Sequence, residues 1–412
     1  MRPYRCMALR VSRVTFFVLL TLACWTFAAA DLTRRPQPIT HFHPDDNYTR
    51  TGFDEFYNQE YDKAIHQFES SLQAHPDDPF AVNHLLSGIM FKEMYRIGAL
   101  DSELYAKEQF LASKQFPMDP KVKARIDELT QRALGLEEEK LKANANDADA
   151  LYARGVTRGL HATYLALIEK AWFSGLRSAV GARHDHERVL ELQPSNTDAK
   201  MIVGMHNYVV GSLSWPVKVG ASMVGLSGSK AKGIEYLYEA ANGGGENSID
   251  AKIALSLFLR REQRYPEAIK VVSSMADAYP KNFLMALELA NLYNASGQAP
   301  QAIAAYRKII TGAQSGSFPD PHIEMAWYGL AEALRGQHDF QGAADAYNHV
   351  LQFQRTDPDL KIRTTLGAGE MYDAMNNRPE AVKRYEEVIA ADSDSPRAEI
   401  AKKYLKDPYR VQ

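Results

Sequence analysis

An all-α solenoid of stacked helical hairpins is the fold class the sequence predicts, and three observations carry it. Pro266-Glu267-Ala268-Ile269-Lys270 returns as Pro379-Glu380-Ala381-Val382-Lys383, with Pro300-Gln301-Ala302-Ile303 and Gly342-Ala343-Ala344 in the same slot between them. Four residues after each of these alanines comes Val272, Tyr306, Tyr347 or Tyr385, and Ala268 and Ala302 stand 34 residues apart. Third, no run of alternating β-branched residues reads as a sheet, while helix formers dominate a chain that is 45% apolar and 24% charged. A fixed period of this length marks a two-helix unit that buries its apolar face only against copies of itself.

Residues 1–30 read as a signal peptide and stand outside the fold. Arg2, Arg5, Arg10 and Arg13 form a basic lead, Val14 to Phe27 is apolar, and Ala28-Ala29-Ala30 supplies small residues before Asp31. That stretch is shorter than the ~20 apolar residues of a spanning helix. Cleavage at Ala30 and lipidation at Cys24 both stay open as readings. Cys6 and Cys24 are the only cysteines and lie inside the segment, so the mature chain has no thiol for a disulfide, a nucleophile or a metal. An exported chain without cysteine points to a Gram-negative bacterial envelope, periplasmic or outer-membrane associated, as its location.

Residues 31–46, with Pro36, Pro38 and Pro44, read as an extended linker, and His41-Phe42-His43 within it as part of a polar tether. Residues 47–246 carry the repeat pattern in degenerate form. Gly52, Ala64, Phe68 and Pro76 keep the spacing of small, small, aromatic and helix-ending residues, Gly155 follows the helix entry Asn146 to Leu151, and Ala182, Pro194 and Gly204 make another set. Between Pro79 and Ala145 the helices have no assignable phase. Six or seven repeats are expected over residues 45 to 395.

An enlarged apolar insert near residues 209–232 departs from this plan. Pro216 breaks a helix, Val217 to Leu226 is apolar apart from Lys218 and small residues, and Gly225 to Ser229 makes a corner. Trp215, Val217, Val219, Met223, Val224 and Leu226 are expected either to pack into the solenoid or to form a partner- or membrane-contacting surface.

In residues 247–395 the pattern is strongest. Leu289, Ala290 and Tyr293 precede Ala302 on one helical face, Gly297 marks the turn, and Tyr306 and Ile309 follow, with small residues admitting a close helix approach of roughly 8–10 Å. Trp327, Leu330, Ala331, Ala343 and Tyr347, then Thr365, Gly369, Tyr372, Ala381 and Tyr385, resemble the tetratricopeptide repeat (TPR). The run from Ala153 through Trp172-Phe173, His186 to Leu192 and the insert is similar to uncharacterised exported bacterial TPR proteins. That resemblance implies a right-handed solenoid whose concave wall, lined by the first helix of each pair, holds a protein or peptide partner. In phase, it places Arg260, Arg261, Asn291, Asn294, Tyr328, Glu332, Arg335, Glu370 and Asp373 on that wall. Leu287 stands where the family's carboxylate clamp has Lys. Residues 396–412 read as a capping helix and tail.

No motif in the chain argues for an enzyme, a cofactor or a resident metal. Ser227-Gly228-Ser229-Lys230 matches S-x-x-K but has neither S-D-N nor K-T-G to go with it. His184-Asp185-His186-Glu187 falls in a helical stretch, where residues two apart point about 200° away from each other and cannot share a metal on one face. Without residues 1–30, 44 basic residues face 51 acidic ones, a net charge of −7 that disfavours nucleic acid as a partner. The expected function is a non-enzymatic binding scaffold of the cell envelope, with lipid or lipoprotein handling through the insert as the alternative. Oligomeric state is not readable from the sequence.

Overall fold

A computed structural model describes residues 39–102, 117–215, 218–219, 222, 226–354 and 356–411. The leader, most of the linker, and Val217, Met223 and Val224 of the insert lie outside the described residues. Seventeen α-helices and no strand occur among the described residues. In chain order they are α1 (Asn47–Tyr57), α2 (Tyr61–Ala74), α3 (Pro79–Arg96), α4 (Pro120–Ala143), α5 (Ala148–Leu167), α6 (Trp172–Leu192), α7 (Ala199–Gly211) and α8 (Lys230–Asn242). There follow α9 (Ser248–Arg261), α10 (Tyr265–Ala278), α11 (Phe283–Ala295), α12 (Ala299–Gln314), α13 (Ile323–Gly336), α14 (Phe340–Leu351), α15 (Pro358–Ala374), α16 (Arg378–Ala391) and α17 (Pro396–Lys406). Consecutive helices pair and each pair stacks on the next, which makes eight hairpins capped by α17. The unit beyond the expected six or seven is α3 with α4, the stretch whose phase the sequence did not reveal.

In the first and last hairpins one helix has no Cβ where the other presents a ring. A Cβ on Gly52 would sit 2.5 Å from Cε1 of Phe68, and one on Gly369 would sit 2.7 Å from the Tyr385 ring. Tyr306 and Tyr347 reach further, against Gly329 and Gly367 of the following hairpin, so one buried ring closes its own unit and the joint to the next. In the third hairpin His186 takes the place of the aromatic, four residues after Ala182 and against Gly155. Helix entry is set by side-chain caps at Asp46, Asp78, Asp119, Asp147, Asn282, Asp357 and Ser395, with Pro in the first turn of α3, α4, α15 and α17. The turn inside a hairpin needs one left-handed residue. Gly297 supplies it as expected (φ 76°), and Gln59, Gln263, His338 and Asn376 adopt the same conformation in their own turns.

The solenoid also meets itself. The main-chain N–H of Lys281 donates to Asn58 Oδ1 (3.3 Å) across 223 residues, and Phe283 N–H donates to Gln59 Oε1 (2.6 Å). Asn282 Nδ2 donates to the Tyr57 carbonyl (2.7 Å), the Tyr57 hydroxyl to Asp250 (3.1 Å) and the Tyr95 hydroxyl to the Asp320 carbonyl (2.6 Å). The described end of the linker joins this closure instead of hanging free. Phe42 is buried against Phe53, Thr40 N–H donates to the Gly244 carbonyl (2.9 Å), and His43 stacks on Phe80. An apolar ring between two histidines outweighs their polarity, so the tether expectation is corrected for residues 39–46. The largest apolar core accordingly runs from Phe42 to Leu292, through the expected boundary at residue 246, and a second runs from Phe283 to Met371.

Candidate partner-binding surface

The wall residues named from the sequence fall into two groups. In the first, the side chain is committed to the interior. Tyr306 donates its hydroxyl to Asn291 Oδ1 (2.6 Å), Tyr347 to Glu332, and Tyr385 to Asp373 (2.9 Å). A buried phenol needs an acceptor, and the first helix of the same hairpin provides one. Asp373 also pairs with Arg378 (3.0 Å) and accepts from the main-chain N–H of Tyr409 (2.9 Å). Arg260 is largely buried in an ion pair with Glu288 (3.0 Å). Asn291, Asp373 and Arg260 thus hold the fold together, where the sequence placed them as open contacts.

The second group faces solvent at least in part, except for Glu370, which is buried. Arg261 is exposed, and Asn294 and Tyr328 are half-buried, with the Arg363 guanidinium 5.1 Å from the Tyr328 ring. Arg335 forms an ion pair with Glu370 (2.7 Å), and its guanidinium lies 5.6 Å from the Tyr409 ring. Burial raises the Glu370 carboxyl to about 7 even though Arg335 pulls the other way. Around this pair opens a cleft of about 720 Å³ between α13 and the C-terminal tail, lined by Glu332, Arg335, His338, Phe340, Tyr404 and Arg410 among others. The tail is placed by Arg378, which donates to the carbonyls of Tyr404 and Leu405 (both 2.8 Å) at the end of α17. Sequence reasoning passed over this tail, although Tyr404 and Tyr409 are aromatics in an otherwise polar end.

The histidine cluster comes apart on its helix. His186 is fully buried with Nδ1 2.8 Å from the Ala182 carbonyl, His184 is exposed, and Asp185 grips Arg154 (2.6 Å) and Arg158 (2.7 Å). Burial lowers the His186 imidazole to about 4, which keeps it neutral, and lowers His206 to about 4 as well. Among the described residues no group of His, Cys, Asp and Glu is arranged to hold a metal ion. The spacing Ala182-x-x-x-His186, identical to Ala302-x-x-x-Tyr306, is the signal that His186 is a packing residue.

Of the insert, Trp215 is 78% and Val219 37% exposed, while Leu226 is half-buried. No helix among the described residues is long and apolar enough to cross a membrane.

A tetratricopeptide repeat family model matches residues 253–319 and 287–359. No curated protein matches the chain in sequence. Solved structures with a similar path include the APC/C hetero-tetramer Cut9–Hcn1, 11% identical with a TM-score of 0.48 over 90% of this chain, which spans only 57% of that chain's length. Pseudomonas aeruginosa pilF is 15% identical with a TM-score of 0.40, over 63% of this chain and 99% of that one. Yeast Tom70 is 14% identical with a TM-score of 0.40, over 88% and 90%. Eight helical hairpins stack in order among the described residues, and within that solenoid the stretch from residue 253 to 359 carries the tetratricopeptide repeat.

Proposed function

We propose that the protein is a non-enzymatic interaction scaffold of the bacterial cell envelope, binding a protein or peptide at the cleft between α13 and the C-terminal tail. The observation that carries this reading is the division of the inner wall. Its earlier stretch is tied up with the chain's own first hairpins and with the Arg260–Glu288 pair, whereas the last repeats present a cleft with exposed His338, Lys403 and Arg410 on its rim. A concave repeat surface with mixed charged and aromatic lining suits an extended segment carrying an acidic group and an apolar side chain. The arginine-led apolar segment at residues 1–30 supports export.

The test is photo-crosslinking in native cells, with the reactive residue placed at His338 or Arg410 in the cleft and at Lys308, exposed on the second helix of its hairpin, as control. A shared adduct from the two cleft positions and none from Lys308 is expected. The same adducts from all three positions, or none from the cleft, would reject it.

A further inference from the structure

The helices α6 and α7 run antiparallel about the turn at residues 193–198, with Arg183 Nη1 3.1 Å from His206 Nε2. That register puts the first turn of α6 at the same end of the molecule as the chain leaving α7. Lys218 Nζ donates to the Gly211 carbonyl (3.2 Å), which draws the start of the insert to the same place. Five large apolar side chains on these segments are open to solvent. Phe173 is 91% exposed, Trp215 78%, Leu176 and Val209 each 52%, and Val219 37%. Trp172 flanks them, with the Lys170 ammonium 5.6 Å from its ring.

Charge at this end is equally one-sided. The stretches 170–184 and 209–234 contain six Lys and Arg and not one Asp or Glu, in a chain whose overall balance is acidic. Some of these cations find acids outside the stretches, as Lys230 does with Glu262 (2.7 Å) and Arg183 with Glu187 (2.8 Å). Arg177, Lys218 and Lys232 have no acidic partner among the described residues, and Arg177 and Lys232 are exposed.

From this juxtaposition we infer that the tip formed by the start of α6, the end of α7 and the described residues Trp215, Lys218 and Val219 is a peripheral docking site for an anionic lipid surface. Side chains as open as Phe173 and Trp215 project into solvent with most of their surface uncovered. They stand out as aromatic anchors do at a bilayer interface, where ring and headgroup layer meet and neighbouring cations face lipid phosphates. The site shares no residue with the C-terminal cleft and stands or falls independently of what that cleft binds.

The experiment is flotation of the full chain with vesicles of phosphatidylcholine alone or of phosphatidylcholine and phosphatidylglycerol in equal parts. Two variants accompany it, Phe173→Ser with Trp215→Ser, and Arg177→Glu with Lys232→Glu; the leader is common to every arm and cancels. The wild-type chain is expected to float with the anionic vesicles, and each variant to partition at least about tenfold less with unchanged helix content by circular dichroism. Because the four side chains are exposed, the variants keep the fold. Equal flotation of wild type and variants, absence of wild-type flotation, or wild-type flotation that ignores phosphatidylglycerol would overturn the assignment. So would a protein cross-linked from position 215 in place of lipid.

Discussion

Replacing His186 by the ring its counterparts use is the sharpest check on the repeat reading. His186 is fully buried between Gly155 and Tyr152, and its Nδ1–H donates to the Ala182 carbonyl. Its Nε2 is buried without a partner among the described residues. Every charged group near it belongs to one network: Asp185 on α6, paired with Arg154 and Arg158 of α5, and Glu137 of α4 behind Thr157. Burial holds the imidazole at about 4 against an ordinary 6.5. The unfolded chain therefore takes up a proton that the folded chain refuses, so this contribution to stability is full above pH 6.5 and is lost as pH falls toward 4. At about 1.4 kcal/mol per tenfold change, the loss amounts to about 3 kcal/mol. His186→Phe gives up a hydrogen bond worth about 1 kcal/mol and removes an orphaned buried nitrogen that costs about 1–3 kcal/mol. Near pH 7 the variant is expected to lie within about 2 kcal/mol of wild type once the slightly larger ring is accommodated. On acidification to pH 4 it should gain about 3 kcal/mol relative to wild type. Urea unfolding across this pH range, with hydrogen exchange of α5 and α6, measures the difference. If the variant loses stability with acid as steeply as wild type does, His186 is not the neutral packing ring described here.

Two glycine substitutions should move in opposite directions. Gly52→Ala drives a methyl into Phe68 and should cost about 1–3 kcal/mol, whereas Gly135→Ala on α4 meets nothing within 4 Å and should stabilise by about 0.5–1 kcal/mol, both read from thermal melts. Asn282→Ala removes both the Nδ2 donor to the Tyr57 carbonyl and the cap on Met285 N–H, for an expected loss of about 2 kcal/mol. Hydrogen exchange should then speed up in α1 as well as in α11, and protection unchanged in α1 would argue against the closure.

How much of this the sequence disclosed depends on whether a contact is local. Ala302 and Tyr306, or Ala381 and Tyr385, sit one helical turn apart, and the partner glycine or alanine lies twelve residues back, so the C-terminal repeats are readable as a spacing. His186 escaped because the aromatic slot was held by a residue that reads as chemistry. Gln59, Gln263, His338 and Asn376 escaped because left-handed turns are expected at glycine. The closure left no trace at all. Asn58, Gln59 and Asn282 act through main-chain N–H and carbonyl groups more than 220 residues away, and no periodicity encodes such a partner. The residues read as a binding wall lie on the first helix of each hairpin, but the phenols of Tyr306, Tyr347 and Tyr385 claim the polar groups that a ligand was expected to use.

The joining of Tyr57 to Glu60 with Lys281 to Phe283 bears on synthesis as much as on architecture. A repeat array of ordinary kind consolidates one unit after another as it leaves the ribosome, since each needs only its neighbour. Here the opening hairpin has to wait for the sixth, and its Tyr57 stays without Tyr279 and Asn282 until then. A nascent chain of this protein is thus obliged to keep its beginning unfinished through most of its translation, a delay that favours an escort over folding on release.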